Sequence, residues 1–176
     1  MNTQKILFWL IIGVILLIWL ITLNSYGSLP QQVPVHFDSQ GQPDGWSEKS
    51  AWIFYMIPFV QTLLVTLIIW FRKYPHLYNF PQKDQVINLP PAKQKPIWEF
   101  LDKMMLLIGF LLGLTFLVTQ YMIIEGAKNA EISPMYTYII IILSVGWVPL
   151  IIYMLVRISS LVKAAKTAVS YSETAY

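Results

Sequence analysis

Four stretches of this chain carry no charged side chain over lengths that suit a membrane span. They cover about residues 6–23, 51–71, 104–124 and 135–156. Crossing the hydrocarbon core of a bilayer takes roughly 20 apolar residues at 1.5 Å rise each. Lipid offers no water to backbone N–H and C=O groups, so such a run must satisfy its own hydrogen bonds as an α-helix. Charged residues are only 12% of the chain and apolar ones 56%, whereas about a quarter of a soluble domain is charged. The sequence therefore predicts an all-α membrane protein with four transmembrane helices and no separate soluble domain. Its parts are a first helix pair (1–71), a basic, proline-rich loop (72–103), a second helix pair (104–156) and a tail (157–176).

The first run also has to be read as a secretory signal. It is longer than the usual apolar region of a signal peptide, and no small-residue cleavage site follows it, so an uncleaved anchor is expected. Orientation follows from the lysines and arginines of the short connectors. Lys5, Arg72, Lys73, Lys83, Lys93, Lys95, Lys103, Arg157, Lys163 and Lys166 fall on one side, and only Lys49 and Lys128 on the other. Both termini and the central loop are thus expected in the cytoplasm of a bacterial cell, in a multi-pass protein of the cell membrane. Trp9, Trp52, Trp70, Trp98, Tyr121 and Tyr136 lie near the proposed boundaries, where amphipathic rings prefer to sit.

The connector between the first two runs, about 24–50, is the most structured stretch of sequence outside the helices. Val33, Val35 and Phe37 alternate with Pro34, His36 and Asp38, the period of a short strand with one apolar face. Two prolines restrict it to an edge or isolated strand. Gly41 and Pro43-Asp44-Gly45 are turn chemistry, so a β-turn or small hairpin is expected on the extracytoplasmic side. Ser47 or Ser50 is placed to cap the second helix.

His36 and Asp38 share one face of the expected strand, with Asp44 across the turn. Imidazole and carboxylates suit a divalent metal, but the spacing is not that of a metal site, and a His-Asp hydrogen bond with turn carboxylates that stabilise the loop is the better account of the residues. No metal or cofactor is assigned. The nearby serines lack the strained-turn pattern of a nucleophile, and no carboxylate or histidine lies inside the spans. Cysteine is absent, which removes disulfides and thiolate chemistry. No catalytic residues are assigned, and the chain is expected not to be an enzyme. Nor do the scattered lysines form the dense basic face that nucleic acid needs.

The outer-loop residues Leu29, Pro30, Pro34, His36, Phe37, Gly41, Pro43, Asp44, Trp46 and Lys49 resemble, in order and between flanking helices, the motif of the membrane family called domain of unknown function 1648. The resemblance covers about residues 5–70. The stretch Tyr74-Pro75-His76-Leu77-Tyr78-Asn79-Phe80-Pro81 is similar, less diagnostically, to the inner loop of small members. The family includes immunity proteins that protect Gram-positive bacteria from a secreted toxin and hold a transcriptional repressor at the membrane. Those proteins are longer, with further helices not found in this chain. What the resemblance implies is a non-enzymatic protein for immunity to, or sensing of, a secreted toxin or envelope signal met at the outer loop.

Two other functions stay open on the sequence. Gln61, Thr62 and Thr66 in the second run, and Thr115, Thr119 and Gln120 in the third, recur at helical spacing. They point either to interhelical hydrogen bonds or to a polar pocket open to the outside, as in a small transporter or pore. The absence of charge inside the spans argues against ion-coupled transport. The basic inner loop fits contact with membrane lipid, or a scaffold recruiting a cytoplasmic protein, and Pro90-Pro91 favours a polyproline segment there. Gly109 and Gly113 form a G-x-x-x-G, expected to pack helices closely. Pro58 and Pro149 are expected to bend theirs.

Overall fold

All four uncharged runs lie in helices in the computed structural model of the protein, which describes residues 3–129 and 131–174, with side chains to residue 169. Helix α1 (Thr3–Tyr26) leads into a hairpin of β1 (Gln32–Phe37) and β2 (Pro43–Glu48), and then into α2 (Ala51–Phe71). A 3-10 turn (Pro75–Leu77) and α3 (Lys83–Ile87) precede the long α4 (Pro91–Lys128), followed by α5 (Pro134–Val145) and α6 (Trp147–Thr174). Helices α1, α2, α4 and the α5–α6 pair are each long and apolar enough to cross a membrane.

The core is a three-helix arrangement in which α1 and α2 pack along α4 and against each other. Ile11, Val65 and Leu106 meet at its centre. Gly109 and Gly113 face this contact rather than a free surface. A Cβ added at Gly109 would lie 3.5 Å from both Ile11 and Ile68, and one at Gly113 would lie 3.2 Å from Val14.

Polar side chains lock the same interface. Gln61 is fully buried, and its amide donates to the Gly113 carbonyl at 2.9 Å. Pro58 has no N–H to offer the Phe54 carbonyl one turn before it, and the amide of buried Gln120 donates there instead at 3.3 Å. Helix α2 is continuous through Pro58 for this reason. The Thr62 hydroxyl donates to the Pro58 carbonyl and accepts from the Trp19 indole, while Thr115 and Thr119 bond back to their own helix. Of the polar residues that recur at helical spacing, Gln61 and Gln120 are closed between helices, Thr62, Thr115 and Thr119 are half-buried, and Thr66 is exposed.

The fourth span is different. It packs on α4, yet no residue of α5 is buried. The helix is interrupted at Gly146, because Pro149 withholds its N–H from the Val145 carbonyl and its ring crowds that carbonyl. The interruption falls three residues before the proline. At the far end the tail is helical, α6 continuing to Thr174; Ala175 and Tyr176 lie outside the described residues.

The expected surface loop at 72–103 is largely folded. Pro91 starts α4 instead of extending a polyproline segment, since a proline at the first helical position loses no intrahelical bond. Phe80, Val86, Leu89, Ile97, Leu101, Ile158 and Val162 form one apolar cluster that joins the loop to α4 and α6. Arg72 grips Asp102 with two hydrogen bonds of 2.7 and 2.9 Å, and Gln4 donates to the same carboxylate at 2.8 Å. That single carboxylate ties the ends of α1 and α2 to α4. Burial pushes the nearby Tyr78 hydroxyl above its usual range, the Asp102 carboxylate adds to this, and Arg72 opposes it. The hydroxyl is buried without a hydrogen-bond partner among the described residues.

Two substitutions separate these effects. Gly113→Leu should lower stability in detergent by about 1–3 kcal/mol through overpacking against α1. Tyr78→Phe should leave it unchanged or raise it, since an unpartnered buried hydroxyl is a cost. Thermal unfolding of both purified variants beside the parent chain checks the pair.

Candidate functional site

The end of the bundle that carries the hairpin gathers the sequence motif into one structure. Its turn is built by Asp38, whose carboxylate accepts the amides of Gln40 and Gln42, both at 2.8 Å. The Gly41 amide donates to the Asp38 carbonyl at 2.9 Å, and Gly41 sits at φ +81°, in the left-handed region. Asp38 is thus a turn former and not the face partner of His36 that alternation predicts.

The strands pair antiparallel, Val33 opposite Ser47 and Pro34 opposite Trp46, with irregularities on either side of His36. Those irregularities break the expected alternation. Val33 and Pro34 are both buried, Phe37 is half-buried, and Val35 is exposed. A bulge that doubles one strand against the other shifts which side chains face inward.

One half of the motif seats the hairpin. Leu29 and Val33 pack with Phe54 and Ile124. Pro34, Phe37 and Pro43 close on Gly126 of α4, where an added Cβ would lie 2.9 Å from Pro43 and 3.2 Å from Pro34. Lys49 donates to the Leu29 carbonyl at 2.8 Å and stands 5.4 Å from the centre of the Tyr26 ring, drawing the end of the hairpin onto the end of α1. Ser50 caps α2 by accepting the Ile53 amide at 3.2 Å.

The hairpin tip is held by the second half of the chain. The Gln42 side chain donates to the Ile132 carbonyl and accepts the Ile132 amide, each at 3.0 Å. A side-chain amide thereby imitates one rung of a β-ladder. Thr137 of α5 donates to the Gln40 carbonyl at 3.3 Å and closes over Gly41. Gln42, Gly126, Ile132 and Thr137 were not singled out by the sequence reading. These contacts span up to 97 positions, and no local pattern announces them.

The other half of the motif faces outward. Val35 and Trp46 are 50% and 46% exposed, and Pro30 is exposed. His36 and Asp44 form a surface pair, Nδ1 to Oδ1, at 2.5 Å. No group of three histidine or carboxylate side chains stands together as a metal site among the described residues. The arrangement presents an imidazole, a carboxylate and two apolar side chains on a braced platform, which suits recognition by contact.

Three apolar helices around a buried polar seam, a fourth apolar span against α4 and a small sheet clamped to one end are the build of a multi-pass α-helical membrane protein. Residues 13–62, from α1 through the hairpin into α2, match the family described as a domain of unknown function (DUF1648). An uncharacterized protein of Archaeoglobus fulgidus is 29% identical over 162 residues, covering 88% of this chain and 87% of its own length. An alignment of that length extends well past the first helix pair, so the second pair also has a counterpart in that archaeal protein. No solved structure matches the chain.

If the hairpin is a braced platform, loss of its brace should be readable apart from loss of its exposed side chains. Gln42→Ala should speed hydrogen exchange at the Ile132 amide and lower stability by about 1–2 kcal/mol, two modest hydrogen bonds being lost. His36→Ala should leave both unchanged. Exchange mass spectrometry of the detergent-solubilised chain distinguishes the two outcomes.

Proposed function

We propose that this protein uses the outward half of its hairpin to meet a secreted peptide toxin or envelope signal at the outer face of the cell membrane, as an immunity or sensing protein without enzymatic activity. The observation that carries this reading is the division of the motif. Lys49, Leu29, Pro34 and Pro43 are occupied in seating the hairpin, while Val35, His36, Asp44 and Trp46 stay exposed. A platform fixed at both ends has already lost the conformational freedom that binding otherwise costs. The proposed topology, with both termini and the 72–103 segment in the cytoplasm, rests on the ten-to-two bias of lysine and arginine among the connectors. The family's immunity proteins are the basis for naming a toxin. Transport has less support, since Gln61 and Gln120 are bonded between helices.

The test is survival of toxin-sensitive cells that express this chain and are challenged with a secreted membrane-active peptide. The parent chain should protect, and the combined Val35→Ser, His36→Ala, Asp44→Ala and Trp46→Ala variant should protect at least about tenfold less, as expected when a hot-spot cluster is removed. Equal membrane insertion of the two, measured by protease accessibility, is required. Full protection by the variant would remove the hairpin from the contact. Absence of protection by the inserted parent chain would remove the immunity reading altogether.

A further inference from the structure

We propose that a cleft between α1, α4 and α6, at the end of the bundle away from the hairpin, binds the phosphodiester headgroup of an anionic phospholipid. Along α4 no charged side chain stands between Lys103 and Glu125, and along the fourth span none stands between Glu131 and Arg157. Lys103 and Arg157 are therefore the points at which two spans leave the hydrocarbon at the same end. The fold brings both into one cleft of about 450 Å3, together with Thr3 and Gln4 from α1 and Glu99 and Phe100 from α4. Phe100 meets Tyr153 of α6 edge-on at 6.0 Å between ring centres, which joins the two helices beside it.

The charges of this region are unevenly matched. Arg72 is held by Asp102, and Glu99 lies 3.9 Å from Lys95. Lys103 and Arg157 have no ion-pair or hydrogen-bond partner among the described residues. Two unmatched cations from different helices, at the depth where phosphates lie, form a site for an anion. Guanidinium engages phosphate oxygens through two parallel N–H bonds, and the ammonium adds a point charge. Thr3 brings a hydroxyl to the same cleft, while the Gln4 amide beside it is held by Asp102. Exposed Ile6 and Val156, at the start of the one span and the end of the other, offer apolar contact to acyl chains. Basic pockets between membrane helices are a recognised way to hold anionic headgroups. The proposal needs the chain to span a membrane but is independent of what the hairpin recognises.

Native mass spectrometry of the full chain, released from nanodiscs of equal phosphatidylglycerol and phosphatidylcholine, tests the cleft. The parent chain should retain phosphatidylglycerol in preference, and Lys103→Gln with Arg157→Gln should reduce that retention about tenfold, as expected for two cations near the surface. Lys163→Gln with Lys166→Gln, cations further along α6, should retain as the parent does, and so should the charge-preserving Lys103→Arg with Arg157→Lys. Undiminished retention by the first pair overturns the site. So does an equal loss from the Lys163 and Lys166 pair, which would mean a diffuse basic surface. Thermal unfolding in inorganic phosphate alone distinguishes the sources. Stabilisation there, without preference for phosphatidylglycerol over phosphatidylcholine in the nanodiscs, would mean a free anion and overturn the lipid.

Discussion

The approach of neighbours to the backbone of α4 decides where everything else in this protein sits. Gly109 and Gly113 let α1 and α2 come within side-chain contact of the helix axis, and Gly126 does the same for the prolines of the hairpin. Between lipid and helix there is no hydrophobic gain from bringing helices together, so dispersion contacts and hydrogen bonds must hold them. Close approach maximises the first and makes the second possible. Only at such distances do the amides of Gln61 and Gln120 reach carbonyls on facing helices. The glycines and glutamines are parts of one device.

That device also explains an apparent fault in α2. A proline within a membrane helix leaves a carbonyl without its donor, and in lipid no water takes the donor's place. Gln120 supplies it from α4. In the fourth span the corresponding carbonyl, at Val145, lies four residues before Pro149, and there the helix interrupts at Gly146 instead. Two prolines of similar sequence context thus meet different fates, according to whether a neighbouring helix stands close enough to help. The exposed fourth span packs chiefly on α4, with no buried residue in α5.

Much of the architecture was legible because membrane spans write themselves as uncharged runs. The limits of α2, at Ala51 and Phe71, coincide with the sequence estimate, since a charge ends the run at Arg72 and a serine cap begins it at Ser50. Helix α4 was underestimated because its first turns, from Pro91 to Lys103, are amphipathic and charged and read as loop. They are helical because Ile97 and Leu101 find an apolar cluster shared with α6, a tertiary contact that hydropathy along the chain does not contain. The hairpin itself was foreseen, but its facing was not, since a bulge beside His36 defeats period-two reading. The candidate site divides in the same way. Its residues were named by resemblance, whereas which of them face outward and which bear load became clear only when α4 and α5 supplied the opposing surface.

The Gln42 bridge to Ile132 has a consequence for how such chains change over time. The family segment ends near residue 62, yet the tip of its hairpin rests on a main-chain unit 90 positions further on and on Gly126 and Thr137. The first helix pair is therefore not a detachable cassette. A chain that joins this segment to a different set of later helices has to provide a new socket for the tip, or carry a hairpin with a different tip. Substitutions on the two sides of the joint are bound to travel together, Pro43 with position 126 and Gln42 with the geometry at 132. Among descendants of one ancestor, the signature of this shared joint is paired replacement across the two halves, in residues that lie far apart in the chain and belong to no common motif.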